Sequence, residues 1–152
     1  MSYFVDRQCQ IEDENLPSEE QLTEWVSAAL KGRLDAAELS IRIVSPEESR
    51  ELNHQYRGKD SSTNVLSFPF EMPEGIELEL LGDLVVCAEV VAREAREQNK
   101  PLFNHWCHMV VHGVLHLLGF DHINNDDAEE MEQLEREILA SLNIPDPYLL
   151  TE

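Results

Sequence analysis

Leu39, Ile41 and Ile43 alternate with Ser40 and Arg42, and this period of two predicts a strand over Leu39–Val44 with one covered face. Tyr3–Cys9 reads as an earlier strand, and Val65–Phe68 and Leu84–Cys87 are short β-type runs. Between these runs the spacing changes to that of helices. Ser18 is the predicted N-cap of a helix running to about Lys31, with Gly32 ending it. Ser45 followed by Pro46 opens a second helix, since proline suits the first helical position. Ala88–Asn99 has helical composition. Pro101–Leu118 is apolar almost all round, through Leu102, Phe103, Trp106, Met109, Val110, Val114 and Leu117, which predicts a buried central helix. Asp126–Leu142 is amphipathic, with Met131, Leu134, Ile138 and Leu142 expected to face inward. Pro69, Pro73 and Gly75 break the chain between the last two strands into an expected loop. The elements do not alternate simply. They predict an α+β class: a single domain over 1–152, with a small mixed β-sheet packed on helices.

A chain of 152 residues suffices for one real core, and its 42% apolar and 28% charged residues are ordinary for a soluble protein. No run of 18 apolar residues is present, so no membrane helix is expected. The first residues lack a basic stretch followed by an apolar one, so no secretory signal is expected. Cys9, Cys87 and Cys107 are odd in number and widely spaced, which fits reduced, mostly buried thiols in a cytoplasmic protein.

The chemistry concentrates at residues 112–122, His-Gly-Val-Leu-His-Leu-Leu-Gly-Phe-Asp-His. His112 and His116 are i, i+4 neighbours on one helical face, within reach of one ion at roughly 2.0–2.1 Å. Gly119 can adopt positive φ, ending the helix and returning His122 as a third ligand. Three protein ligands leave a tetrahedral position open for water or substrate, as in catalytic zinc sites. The alternative is that each histidine is structural, but three at ligand spacing around a helix-ending glycine outweigh it. His105 and His108 are rivals whose case helical rise weakens: His108 and His116 lie about 12 Å apart along the axis, and His105 and His112 about 10.5 Å, so geometry favours His112, His116 and His122. All-nitrogen ligation favours Zn2+, one per chain, with other divalent metals admitted.

The spacing matches the long zinc-peptidase pattern H-E-x-x-H-x-x-G-x-x-H, but Gly113 stands where its general base would be. A glycine inside a helix costs about 1 kcal/mol against alanine, so Gly113 is expected to permit a close approach by a neighbouring element or a ligand. Asp121 adjoins a ligand and is expected either to orient it or to cap the turn.

Residues 53–70 read Asn-His-Gln-Tyr-Arg-Gly-Lys-Asp-Ser-Ser-Thr-Asn-Val-Leu-Ser-Phe-Pro-Phe. With Leu81-Gly82-Asp83 and the histidine motif, in that order, they resemble the YbeY family of bacterial rRNA maturation factors. The resemblance runs from about residue 50 to residue 122, and departs at Asn64, where Asp is common, and at Phe120, where Tyr is common. It implies a metal-dependent endoribonuclease acting on single-stranded RNA, in 3′-end maturation of small-subunit (16S) rRNA and in ribosome quality control. It also implies the three histidines at the floor of a cleft, Arg57 as the family's functional arginine and His112 as its key histidine.

Arg57 read from its own surroundings agrees. It sits in a Gly-, Asp- and Ser-rich stretch that predicts a loop, and a guanidinium can donate two parallel hydrogen bonds to a phosphate. Lys59 is a second positive point for substrate; His54 reads as structural or surface. The net charge of −20, from 31 acids against 11 bases, runs against RNA binding. The acids gather at 12–24 and 126–137, whereas 50–70 carries Arg50, Arg57 and Lys59. A locally positive cleft in a negative body would need a partner for placement, namely the small ribosomal subunit and a basic ribosomal protein. Two other functions remain open from sequence: a zinc peptidase-like hydrolase with a base outside the helix, and a non-catalytic ribosome-assembly factor with structural zinc.

Overall fold

Side-chain caps set the starts of the first two helices, as the sequence predicts. In the computed structural model, which describes residues 2–9, 11, 15–34, 36–69, 80–120 and 125–147, the elements run β1 (Ser2–Cys9), α1 (Glu19–Leu30), β2 (Ala36–Val44), α2 (Pro46–Arg57), β3 (Val65–Pro69), β4 (Leu80–Cys87), α3 (Ala88–Glu97), α4 (Leu102–Leu117) and α5 (Asn125–Ser141). Ser18 Oγ accepts from Gln21 N–H at 3.1 Å while Gln21 Oε1 accepts from Ser18 N–H at 2.9 Å, a reciprocal capping box. Ser45 Oγ caps α2 through Glu48 N–H at 3.3 Å, with Pro46 in the first turn.

The strands form one sheet in the order β1-β2-β4-β3. β1, β2 and β4 are parallel; β3 is antiparallel to β4 and lies at the edge. The fold is α+β with a mixed sheet. Val5, Leu39, Ile41, Ile43, Leu84 and Val86 turn to one face, where α1, α4 and α5 bury them against Leu22, Trp106, Val110, Val114 and Met131. On the other face, Val44, Leu66, Val85 and Cys87 pack with Val90 and Leu52 in a smaller cluster. Most of α4 is buried, which explains an apolar composition without a polar stripe.

Gly113 has the role its helix-interior position suggests. A Cβ there would meet Leu84 Cδ2 at 2.8 Å and Val65 Cγ2 at 3.3 Å. The missing side chain lets α4 lie directly on β3 and β4.

One local expectation is corrected. Arg57 is not in a loop but is the last residue of α2, because Gly58 takes φ 71° and lets the helix close on that residue. On α5 and just past its end, Met131 and Ile138 are buried and Leu134 and Leu142 pack half-buried against the core, as expected, and the inward face also carries Leu139 and Glu135. Pro73, Gly75, Asp121 and His122 lie outside the described residues. No helix among the described residues is long and apolar enough to cross a membrane.

Candidate active site

The C-terminal end of α4 is built to stop. Gly119 takes φ 105°, Phe120 N–H donates to Leu115 O at 3.0 Å, and Gly119 N–H donates to His116 O at 3.0 Å. These two bonds satisfy carbonyls the helix would leave open. One turn back, His112 and His116 face each other with Nε2 atoms 3.1 Å apart and ring centroids 4.6 Å apart. Two nitrogens on a tetrahedral zinc at 2.0–2.1 Å each would lie about 3.3 Å apart. The pair therefore has the spread of two ligands to one ion.

Glu135 of α5 decides which ring nitrogen His112 turns to the cavity. Its carboxylate is fully buried, 2.5 Å from His112 Nδ1 and 3.4 Å from His108 Nε2. Burial alone would raise its pKa, but the hydrogen bonds from His108 and His112 outweigh that and hold it below the usual carboxylate range. An ionised carboxylate only accepts, so His112 Nδ1 carries the proton. Its Nε2 is the nitrogen that faces His116. This is the carboxylate–histidine arrangement that orients metal ligands and raises their basicity. Among the described residues, no group of three His, Cys, Asp or Glu side chains has metal-binding geometry. The two histidines fit a divalent ion as a pair.

Sequence reasoning missed Glu135, placing it in a solvated acidic run. A signal was present: Glu135 lies four residues after Met131 and three before Ile138, on the apolar stripe of α5.

His112 and His116 open onto a cavity of about 670 Å³ that is also lined by Tyr56, Arg57, Asn64, the whole of β3, Gly119 and Phe120. Among the described residues that line it, Arg57 is the only Lys, Arg, Asp or Glu, although the chain as a whole is acidic. Lys59 is exposed and does not line the cavity. Arg50 is bound by Asp60 through two hydrogen bonds, of 2.6 and 2.9 Å. Asn64 Nδ2 donates to Glu94 Oε1 at 3.1 Å, and its Oδ1 accepts from Val65 N–H at 2.7 Å. An Asp here would set a second carboxylate beside Glu94. Ser67 Oγ donates to Gly113 O at 3.2 Å, tying β3 to α4 below the histidines.

The other two helix histidines belong to a closed region. His105 is 3% exposed and its Nε2 meets Glu94 Oε1 at 3.0 Å. Burial pushes its pKa below the ordinary value, against the upward pull of Glu94. Cys87 and Cys107 are buried, and burial pushes both thiols up, which leaves them unreactive.

A mixed sheet carrying a buried helix, with a carboxylate-backed histidine pair and an arginine on one cleft, defines an α+β protein with a polar cleft at one helix end. Solved structures contain the same fold: TM1509 from Thermotoga maritima, known in solution, superposes with a TM-score of 0.58 at 28% identity, over 94% of this chain and 92% of that one. The family model for endoribonuclease YbeY matches residues 6–143, and the chain belongs to that family. Membership implies an endoribonuclease of rRNA maturation, a hydrolase acting on RNA.

Proposed function

We propose that this chain is a metal-dependent, single-strand-specific endoribonuclease that matures the 3′ end of 16S rRNA in the cytoplasm and serves ribosome quality control. His112, His116 and His122 would hold one divalent ion, zinc by its preference for nitrogen ligands. A bound ion would supply electrostatic stabilisation of the phosphate and a lowered pKa for an attacking water. The observation carrying this reading is the convergence of His112 and His116 Nε2 atoms, backed by Glu135, on the cavity that also holds Arg57.

The chain's own residues divide the work. Arg57 clamps the scissile phosphate and stabilises charge building on it. Its position at a glycine-capped helix end fixes the root of the side chain and leaves the guanidinium exposed to substrate. Glu135 keeps the proton on His112 Nδ1. Lys59, exposed beyond the cavity rim, would meet flanking phosphates. The acidic, exposed side of α5 would meet a basic ribosomal protein on the small subunit. A peptidase reading gains nothing, because Glu135 is buried on histidines and Gly113 has no room for a side chain.

The test is an assay of purified, metal-loaded protein on single-stranded RNA beside Arg57→Ala and His112→Ala. Both variants should lose cleavage, Arg57→Ala by about 100- to 1000-fold with full metal content. Wild-type protein inactive on every RNA, or an unaffected Arg57→Ala, would refute the proposal.

A further inference from the structure

β3 is an edge strand, and its free edge lies on the cavity. The antiparallel register pairs Leu66 with Val85 and Phe68 with Asp83, and Cys87 N–H donates to Asn64 O at 2.9 Å. In such a pair, alternate residues turn both backbone groups to the partner. Asn64, Leu66 and Phe68 therefore face β4, while Val65, Ser67 and Pro69 turn theirs to the open side. Val65 N–H is already held by Asn64 Oδ1 at 2.7 Å, and Pro69 has no N–H. What remains is an acceptor, Val65 C=O, beside a donor, Ser67 N–H, followed by Ser67 C=O.

Tyr56 stands at the same cavity. It is 60% exposed, a large ring left in solvent, and it meets Phe68 edge-on with centroids 5.1 Å apart. The edge-on contact fixes the ring while leaving surface for stacking. Arg57, the next residue, puts a cation at the same wall.

We propose that this wall is a base-binding subsite: the free edge of β3 pairs with the Watson–Crick edge of an unpaired base, and Tyr56 stacks a base beside it. The subsite rests on the RNA-cleaving reading above and supplies its strand selectivity. Every RNA base has a donor next to an acceptor on that edge, which fits Val65 C=O and Ser67 N–H in one of two senses. A duplex has consumed those groups, so a paired base cannot enter. Stacking on an aromatic ring is tolerant of sequence, because every base has a π face. An extended peptide is the poorer occupant. Strand addition needs a regular ladder, and here one of the outward N–H groups is taken and another is missing.

The test compares equilibrium binding of a labelled oligouridylate and the same strand made of 3-methyluridine, read by anisotropy immediately after mixing with the full, metal-loaded chain. The methyl group removes the N3–H donor and blocks the edge while leaving phosphates and ribose unchanged. Methylation should weaken binding by about tenfold. Tyr56→Ala should weaken the unmodified strand by about fivefold to a hundredfold, with Tyr56→Phe within about twofold of wild type. Cleavage of RNA together with equal binding of both strands would overturn the subsite and leave the nuclease reading standing. No binding of either strand and no cleavage would overturn both. Displacement of the RNA by an unstructured peptide at equal concentration would assign the edge to strand addition and overturn the base subsite.

Discussion

The two halves of α4 carry the same side chain into opposite environments. His105, in the first turn, is sealed: its side chain is 3% exposed and its partner Glu94 is itself tied by Asn64. His112, two turns on, is 19% exposed at the side chain and turns Nε2 to His116 at the cavity. Each half has a carboxylate, so a histidine–glutamate pair does not by itself mark a site. The difference lies in what the other face of the imidazole meets. Glu94 helps close an interior, whereas Glu135 leaves His112 with its Nε2 turned to His116 on the cavity wall.

The strongest test of that contrast removes one histidine from each half. His116→Ala should abolish stoichiometric metal by elemental analysis and reduce RNA cleavage to background. His105→Leu should keep full metal content. Metal lost from both variants, or kept by His116→Ala, would erase the distinction.

Glu135→Gln sharpens it. The swap keeps the shape but removes the charge that fixes the His112 tautomer, and should weaken metal affinity about 10- to 100-fold. Competition titration against a chelator measures this, and unchanged affinity would make Glu135 merely structural.

The sealed half predicts a stability effect instead. Burial holds His105 below its ordinary pKa of 6.5, with His108 and Lys100 pushing the same way and Glu94 opposing. The unfolded chain therefore binds this proton more readily. Stability is full above about pH 6.5 and falls as the pH drops from there through the folded-state pKa. Melting temperature followed from pH 7.5 to pH 5 should show a smaller decline in His105→Leu than in wild type, about a few degrees. Parallel declines would remove His105 as the source.

The smallest effect is in salt dependence. Arg57 is the only fixed cation on the described wall and Arg50 is occupied by Asp60. RNA affinity should therefore fall with salt at a slope of roughly one to two contacts, at about 0.7 per phosphate on a single strand. A slope implying six or more would reveal a basic track elsewhere.

Much of this architecture was legible along the chain. Ser18 and Ser45 announced helix starts because caps depend on a few adjacent residues. Leu39–Val44 announced a half-covered strand by its period. Gly119 announced a helix end, and the histidine spacing announced that His112 and His116 share one face beside it. Arg57 was read as loop from its polar neighbours; a single left-handed residue, Gly58, instead let the helix reach it. Glu135 was hidden by the charges around it, since composition counts a carboxylate as solvated whichever way its stripe faces.

The sequence by itself determined the elements, the family motifs and the helical face shared by His112 and His116, because all of these follow from short-range spacing. Tertiary structure alone decided the rest: that α5 brings Glu135 against His112 across 23 residues of chain, that β3 is an edge, and that Arg57 and Tyr56 share its cavity. These are meetings of distant segments, set by which faces must be buried together, and no local pattern records them.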